Sequence, residues 1–333
     1  MTTNLKKMGI VLTAAALLMA VAGCGGSDKK EAAATKGKTV NVGVVQLVEH
    51  GALDAANKGF VEGLASRGYK GDKIKFDQQN AQADQSNLQT IAQRFVNNKV
   101  DLICAIATPA AQTVANATKE IPIVGTAITD YEAAKLVKSN SKSGTNVTGT
   151  TDMNPIKEQI DLLTKIAPQA KTVGFIYTSS EVNSQIQVDL AKKEAEAKGL
   201  KTVEATVSNV NDIQQAAQSL VGKVDAIYVP TDNVLASAMP TLTSVTTEAK
   251  IPVITGEGGM VKGGGLATVG IDYYKLGFQT GLMAADILDG KIKPQDMGIQ
   301  AQTEFAVLVN EEAAKKMGIT IPKDILDKAK GAK

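Results

Sequence analysis

The sequence has no tryptophan, one histidine and two cysteines among its 333 residues. With a single imidazole and no His-x-x-x-His or Cys-x-x-Cys spacing, the usual zinc-binding patterns are missing, and we expect no metal. A Gly-x-Ser-x-Gly nucleophile elbow and a Gly-x-x-x-x-Gly-Lys-Ser/Thr phosphate loop are also missing. The glycine-rich stretch 256–265 is better explained by turns around a short helix. We therefore predict no catalytic residues and no cofactor.

An excess of charge of one sign is missing too. The chain has 36 Lys+Arg against 34 Asp+Glu, and no long basic run stands out. Because proteins that bind nucleic acid need a basic surface to neutralise phosphates, we expect no nucleic-acid partner.

The one sizeable apolar run is short and lies near the N-terminus. Residues 9–20 (GIVLTAAALLMA) follow the pair Lys6-Lys7 and precede Val21-Ala22-Gly23-Cys24. Positive charge, apolar run, small residues and cysteine in this order are typical of a lipoprotein signal peptide, and the run is too short to span a membrane comfortably. We predict a signal peptide over 1–23 and a lipid on Cys24. An ordinary signal peptide that contains a cysteine is the alternative.

Residues 24–38 are rich in small and charged side chains, which predicts a flexible, lipidated tether. We therefore expect an extracytoplasmic protein that is lipid-anchored to the cell membrane and does not cross it. With Cys24 lipidated, Cys104 has no partner for a disulfide. Its apolar neighbours predict a buried, unreactive thiol.

From residue 39 onward, short apolar strands alternate with amphipathic helices. The first half has predicted strands at Val40–Gln46, Lys73–Gln78, Leu102–Ala107 and Pro122–Ala127, and helices at Leu53–Ser66, Gln85–Asn97, Ala110–Thr118 and Glu132–Lys138. A turn-rich stretch, Ser139–Thr151, separates it from the second half, with strands at Thr172–Tyr177, Lys201–Ala205, Ala226–Val229 and Pro252–Thr255, and helices at Glu181–Lys198, Val210–Leu220 and Asn233–Ala249. The last segment has strands at Leu266–Ile271 and Gln302–Val309, and helices at Tyr274–Leu288 and Glu311–Met317. This alternation predicts an α/β fold with parallel sheets that helices cover on both faces.

The two similar halves predict two lobes built alike. We place residues 39–150 in the first lobe and 151–267 in the second. We expect the chain to return to the first lobe over about 268–295 and to the second over about 296–333.

Polar side chains concentrate where the predicted strands end, and ligands of parallel α/β sheets bind at the carboxyl ends of strands. These loops supply the candidate ligand-binding residues Gln46, Glu49, His50, Thr108, Thr126, Asp130, Tyr177, Ser179, Ser180, Asn183, Thr231, Asp232, Asn233 and Glu257. Capping of a helix is an alternative role for several of them, among them Ser180 and Asp232. Helix N-termini attract a carboxylate and acidic side chains attract an ammonium group, which suits a zwitterionic amino acid, although a hydroxyl-rich solute stays open.

Four stretches make the sequence similar to a known family: residues 44–56 (VVQLVEHGALDAA), 80–92 (NAQADQSNLQTIA), 105–112 (AIATPAAQ) and 228–233 (YVPTDN). Over about residues 40–319 the chain resembles the ABC-transporter substrate-binding lipoproteins of the tryptophan/tyrosine-binding type. The resemblance implies a type I periplasmic-binding-protein fold, with two Rossmann-like lobes joined by a three-strand hinge. It implies a monomeric receptor that binds an amino acid, above all an aromatic one, by hinge closure, with a membrane permease and its ATPase as partners.

The resemblance also guides the roles of individual residues. We assign the ligand carboxylate to the hydroxyls of Thr108, Thr126, Ser179 and Ser180, and the ligand ammonium to Asp232 and Glu257. The candidates for the pocket wall are Gln46, Glu49, His50, Tyr177 and Asp272.

Three other functions remain as alternatives. A receptor for a branched amino acid, a sugar or a nucleoside would use the same fold, although the lack of tryptophan argues against sugar stacking. An amino-acid sensor that signals through a membrane kinase would use the same body. A surface enzyme built on Rossmann-like halves lacks the dinucleotide fingerprint.

Overall fold

The structure is a computed structural model that describes residues 39–330. The predicted signal peptide (1–23), the lipidation site Cys24 and the tether up to residue 38 lie outside the described residues. No helix within 39–330 is long and apolar enough to cross a membrane.

Two six-stranded sheets form the two lobes. The strands of the first sheet are β1 (Val40–Gln46), β2 (Ile74–Asn80), β3 (Leu102–Ile106), β4 (Ile123–Ile128), β5 (Val147–Thr151) and β11 (Gln300–Ala301). Their order is β11-β5-β4-β3-β1-β2, and all neighbours are parallel. The strands of the second sheet are β6 (Thr172–Thr178), β7 (Lys201–Val207), β8 (Ala226–Val229), β9 (Val253–Thr255), β10 (Ala267–Gly270) and β12 (Ala306–Val309). Their order is β12-β10-β9-β8-β6-β7, and only the edge strand β12 is antiparallel to its neighbour.

Helices cover both sheets. Those of the first lobe are α1 (Gly51–Ser66), α2 (Gln85–Asn97), α3 (Thr108–Ala117) and α10 (Tyr273–Leu288). Those of the second lobe are α4 (Ile156–Ile166), α5 (Val182–Ala197), α6 (Ile213–Leu220), α7 (Asn233–Ser237), α8 (Met239–Glu248), α9 (Gly258–Lys262), α11 (Glu311–Met317) and α12 (Lys323–Lys330).

Burial of the central strands explains why their apolar runs predicted strands correctly. Strands β3 and β4 are buried along their whole length, as expected for parallel strands with helices on both faces. Cys104 lies in β3 with no exposed surface, and burial raises the pKa of its thiol. Cys104 is thus buried like a small apolar residue, as its apolar neighbours in the sequence predicted.

The chain passes between the lobes three times, in the segments that follow β5, β10 and β11. Strand β10 belongs to the second sheet and β11 to the first. The second and third crossings therefore lie a few residues C-terminal of the expected positions 268 and 296. The three crossing segments agree with the three-strand hinge that the resemblance implied.

Several predicted elements were wrong. The helix expected over Glu132–Lys138 is a set of turns in which Lys135 has φ 60°, and the turn-rich stretch before residue 151 contains β5. Of the strand expected over Gln302–Val309, only the second half forms a strand, β12, whereas β11 precedes the expected range and belongs to the other sheet.

One predicted helix is interrupted. The helix expected over Asn233–Ala249 breaks at Ala238 into α7 and α8, because Pro240 lacks an N–H and its ring disfavours a continuous helix. The prediction missed α4 and α12.

Helices α1 and α10 pack unusually closely, through glycines on both. A Cβ atom on Gly277 would lie 1.9 Å from the carbonyl oxygen of Ala56, and one on Gly59 would lie 2.1 Å from that of Tyr274. Only hydrogen fits at these positions, so the two helices form one tightly packed unit.

Candidate ligand-binding site

The candidate site is an enclosed cleft between the lobes, at the carboxyl ends of strands from both sheets. The first lobe and its α10 contribute His50, Leu53, Ala127, Thr129 and Tyr273 to its wall, the first crossing segment contributes Asp152, and the second lobe contributes Asn183, Thr231, Asp232, Asn233, Ala236, Glu257 and Met260. Most of these residues are buried, so a solute can enter only when the lobes move apart.

Two hydrogen bonds join the lobes across this cleft. The Nε2 atom of His50 lies 3.3 Å from Oδ1 of Asn233, and Nε2 of Gln187 donates to Oγ1 of Thr129 at 3.2 Å. Helices α1 and α9 also approach closely here, since a Cβ on Gly51 would lie 3.7 Å from Cα of Gly259. The structure is therefore in a closed arrangement.

His50 is neutral in this setting. Burial lowers the pKa of its imidazole to about 4, although the bond to Asn233 and the charge of Asp54 act in the opposite direction. Among the described residues, its Nδ1 atom is buried without a hydrogen-bond partner.

Asp232, which precedes α7, and Glu181, which precedes α5, form a buried acidic pair. The carboxylate of Asp232 accepts hydrogen bonds from N and Oγ1 of Thr178 at 2.6 and 2.8 Å, from Oγ of Ser184 at 2.7 Å and from N of Leu235 at 2.9 Å. Burial raises the pKa of Asp232. Burial and the charge of Asp232 raise the pKa of Glu181 to about 8.

The acceptor capacity of Glu181 is used within the second lobe. Its carboxylate accepts from Nδ2 of Asn183 at 2.9 Å, from Nδ2 and N of Asn233 at 2.5 and 3.3 Å, and from N of Val234 at 3.4 Å. Glu181 and Asp232 thus hold α7 against β6 and α5.

Glu257 caps α9. Its carboxylate accepts from the backbone N–H groups of Gly259 and Met260, the latter at 2.9 Å. Burial raises the pKa of Glu257 to about 7.

Asp152 lies where the chain leaves the first sheet. Its Oδ1 accepts from Oγ1 of Thr129 at 2.9 Å and its Oδ2 accepts from the hydroxyl of Tyr273 at 2.7 Å. Burial raises the pKa of Asp152. The neighbouring Asn154 ties this segment to the second crossing, because its Oδ1 accepts from N of Ile271 at 3.1 Å.

The cleft is acidic. Asp152, Asp232 and Glu257 in its wall, and Glu181 behind Asn183 and Asn233, are at most 3% exposed. In the part of the chain that the structure describes, no lysine or arginine lines the cleft. Residues 39–330 contain no group of three or more His, Cys, Asp or Glu side chains that would hold a metal ion. This wall therefore favours a cationic group on the solute.

The structure brings together six of the predicted candidates: His50, Asn183, Thr231, Asp232, Asn233 and Glu257. The others lie outside the cleft wall. Ser179, Ser180, Glu49 and Asp272 are exposed, and the carboxylate of Asp272 caps α10.

The remaining candidates bond elsewhere. Asp130 caps a turn through the N–H groups of Glu132 and Ala133. Tyr177 donates to Glu204 at 2.7 Å, and Thr126 accepts from Thr150 at 3.3 Å inside the first lobe. Gln46 donates to Asp54 at 2.7 Å, whereas the hydroxyl of Thr108 is buried without a partner among the described residues.

The cleft residues that the sequence analysis did not select are Leu53, Ala127, Thr129, Asp152, Ala236, Met260 and Tyr273, together with the bridging Gln187. Thr129 directly follows β4, so the rule of polar residues at strand ends already pointed to it, whereas Asp152 directly follows β5, which the sequence analysis did not predict.

A wider groove of about 810 Å³ lies outside the cleft, between α2 and α3. Apart from Ser180 its walls belong to the first lobe, so a solute there would have little influence on the arrangement of the lobes.

Comparison with known proteins identifies the family. The family model described as ABC transporter substrate binding protein matches residues 41–333. The chain belongs to the ABC transporter substrate-binding protein family. It is thus a substrate-binding receptor for ABC transport, a class of protein that works outside the cytoplasm, and its two α/β lobes are those of the type I periplasmic-binding-protein fold.

Among its relatives in this family is the tyrosine-binding protein of Clostridioides difficile (strain R20291), 43% identical over 323 residues, which are 95% of this chain and 93% of the relative. An ABC domain from Streptococcus pneumoniae in complex with L-Trp is 42% identical, with a TM-score of 0.85 over 88% of this chain and 99% of that one. The ligand-free, open structure of a substrate-binding protein with adhesive properties from Clostridium difficile is 47% identical, with a TM-score of 0.66 over 86% of this chain and 97% of that one.

Proposed function

We propose that this substrate-binding protein captures an amino acid with an aromatic side chain and delivers it to an ABC permease and its ATPase. The relatives support this ligand class, because one is named for tyrosine and another holds L-Trp. The composition of the cleft supports it as well. Leu53 and Met260 give an apolar surface beside the rings of His50 and Tyr273, whereas the buried carboxylates suit an ammonium group.

The observation that carries the proposal is that both lobes wall the same buried cleft and hydrogen-bond across it. A solute bound there contacts both lobes and therefore stabilises the closed form over the open one. A permease that recognises the closed form would then receive only loaded receptors.

The two related structures support closure as the working motion. The present structure has a TM-score of 0.85 to the L-Trp complex but only 0.66 to the open, ligand-free structure, although the second has the higher sequence identity. The arrangement of the lobes is therefore nearer to that of the complex.

The remaining parts of the proposal concern the protein outside the cleft. We propose a lipid on Cys24 that anchors a monomer to the outer face of the cell membrane, with residues up to 38 as a tether. We propose no catalytic activity, since the family is one of solute-binding proteins.

The test is a thermal-shift screen of the protein from Ser27 onward, after unfolding and refolding to remove carried-over ligand. Tryptophan, tyrosine and phenylalanine are compared with branched amino acids, sugars and nucleosides. A ligand that binds only the native state at 100 times its Kd stabilises it by about 2.7 kcal/mol. A rise in Tm with the aromatic amino acids alone supports the proposal. A rise only with sugars or nucleosides would replace the ligand class, and a screen without any shift would contradict the receptor function.

A further inference from the structure

We propose that Asp152, together with the side-chain oxygen of Asn183, binds the ammonium group of the amino acid. This inference rests on the proposed function and names the polar anchor of that site. It differs from the assignment to Asp232 and Glu257 that the sequence favoured.

The three buried carboxylates of the cleft wall (Asp152, Asp232 and Glu257) and the adjacent Glu181 differ in how many hydrogen bonds they already accept from the protein. A carboxylate offers about four acceptor positions. Asp232 and Glu181 each accept four hydrogen bonds from the second lobe. Asp152 accepts one bond on each oxygen, so it keeps acceptor capacity for a ligand.

Glu257 also accepts two hydrogen bonds, but its charge is better compensated. Its donors are the backbone N–H groups of Gly259 and Met260 at the start of α9, where the helix dipole favours a negative charge. The donors of Asp152 are the neutral hydroxyls of Thr129 and Tyr273, and no described cation forms an ion pair with it. An uncompensated buried charge is costly, and a ligand ammonium would remove that cost.

Asn183 supplies the second, independent observation. Its side chain is 4% exposed, and among the described residues its Oδ1 has no hydrogen-bond partner. The orientation of the amide is fixed, because Nδ2 donates to Oε2 of Glu181 at 2.9 Å and to the carbonyl oxygen of Thr231 at 3.0 Å. Oδ1 is therefore a buried acceptor in a cleft whose wall, over residues 39–330, contains no lysine or arginine to satisfy it.

The two acceptors belong to different sides of the cleft. Asp152 is held by the first lobe through Thr129 and Tyr273, whereas Asn183 lies in α5 of the second lobe. An ammonium group has three N–H donors, enough for both acceptors. Gln187 bridges their surroundings, since it donates to Thr129, which itself donates to Asp152, and to the backbone carbonyl oxygen of Asn183. Binding of the ammonium would thus tie the lobes together.

The experiment measures the affinity of wild-type protein and of Asp152→Asn for L-tryptophan, L-tyrosine and their des-amino analogues, indole-3-propionate and 3-(4-hydroxyphenyl)propionate. We expect Asp152→Asn to weaken binding of the amino acids about 100-fold and to change the affinity for the analogues less than about threefold. Asn183→Ala should weaken binding of the amino acids about 10-fold with the same selectivity. Asp161→Asn, on the surface of α4 beside Lys157 and Lys198, is the matched control and should bind like wild type.

An equal loss for amino acids and analogues in Asp152→Asn would overturn the assignment, because it would indicate a purely structural role in the hinge. Unchanged affinity of Asp152→Asn for the amino acids would overturn the assignment too. So would a loss that affects the amino acids but not the analogues in Glu257→Gln and is missing in Asp152→Asn. If refolded wild-type protein binds neither tryptophan nor tyrosine, the proposed function fails, and this assignment fails with it. Native-like unfolding curves for each variant separate loss of binding from loss of folding.

Discussion

His50 in the first lobe donates a hydrogen bond from Nε2 to Oδ1 of Asn233 in the second lobe, at 3.3 Å. The direction follows from Asn233, whose Nδ2 donates to Glu181 and whose oxygen is therefore the acceptor. His50 is neutral, because burial lowers its pKa to about 4, and the proton lies on Nε2. Its Nδ1 is consequently a bare acceptor inside the cleft.

This acceptor predicts a preference among aromatic ligands. Tyrosine and tryptophan carry a ring donor that can satisfy Nδ1 of His50, whereas phenylalanine does not. We expect phenylalanine to bind about 10-fold more weakly, as for one hydrogen bond in a buried site. Titration calorimetry measures the three affinities. His50→Phe should lose this preference. If the variant keeps it, a group other than His50 accepts the hydrogen bond from the ring donor.

The buried glutamates predict that stability falls as the pH rises. The pKa of Glu257 is raised from 4.5 to about 7, so its contribution to stability is complete below pH 4.5 and is lost as the pH rises towards 7. The loss for Glu257 is about 3 kcal/mol. Glu181, whose pKa is raised to about 8, extends the decline to that pH. His50, whose pKa is lowered from 6.5 to about 4, acts in the opposite direction, but only up to about pH 6.5, so the decline is steepest above that pH.

Thermal unfolding of the ligand-free protein between pH 5 and 8.5 measures this decline. Glu257→Gln should flatten the curve below pH 7, and Glu181→Gln should flatten it up to pH 8. Glu304→Gln changes an exposed side chain and should leave the slope as in wild type. A wild-type Tm that rises through this range would contradict the prediction.

The close packing of α1 and α10 predicts a severe effect of one methyl group. In Gly277→Ala the new Cβ would lie 1.9 Å from the carbonyl oxygen of Ala56, so the helices must separate. We expect a loss of about 3 kcal/mol in the free energy of unfolding, measured by urea denaturation. Gly51→Ala is the control, because its Cβ would meet only Cα of Gly259 at 3.7 Å. Equal stability of the two variants would refute the packing argument.

Cys104 predicts a simple labelling result. In the protein from Ser27 onward it is the only cysteine, and it has no exposed surface. We expect no reaction with a thiol reagent in the native state and one labelled thiol per chain in denaturant. Rapid labelling of the folded protein would place Cys104 at an accessible position instead.

The elements with the strongest patterns were predictable from the sequence. Strands β1 and β3 and helix α2 have long apolar or amphipathic patterns, and local sequence determines their limits well. Strand β5 (VTGTT) has the composition of a turn, and it is a strand because β4 and β11 pair with it on both sides. Strand β11 has two residues, which no periodicity can reveal.

The candidate site was predictable only in part, for a related reason. Residues after β8 and β9 and Asn183 near the start of α5 lie in the cleft because strand ends of a parallel sheet share one edge, and the sequence analysis selected them. Ser179 and Ser180, which directly follow β6, were selected as well but lie outside the cleft wall. Asp152 and Tyr273 enter the wall from two different crossings of the chain. Their proximity depends on the relative position of the lobes, which sequence patterns do not contain.

The glycine contacts between α1 and α10 have a consequence for how such a receptor acquires a new ligand. His50 precedes α1 and Tyr273 begins α10, so the tightly packed helix pair holds both rings as one stiff surface. Helices α7 and α9 on the opposite side have five residues each and follow short loops. Mutations that adapt the cleft to a different side chain should therefore be tolerated at Ala236 and Met260, while the two rings keep their place.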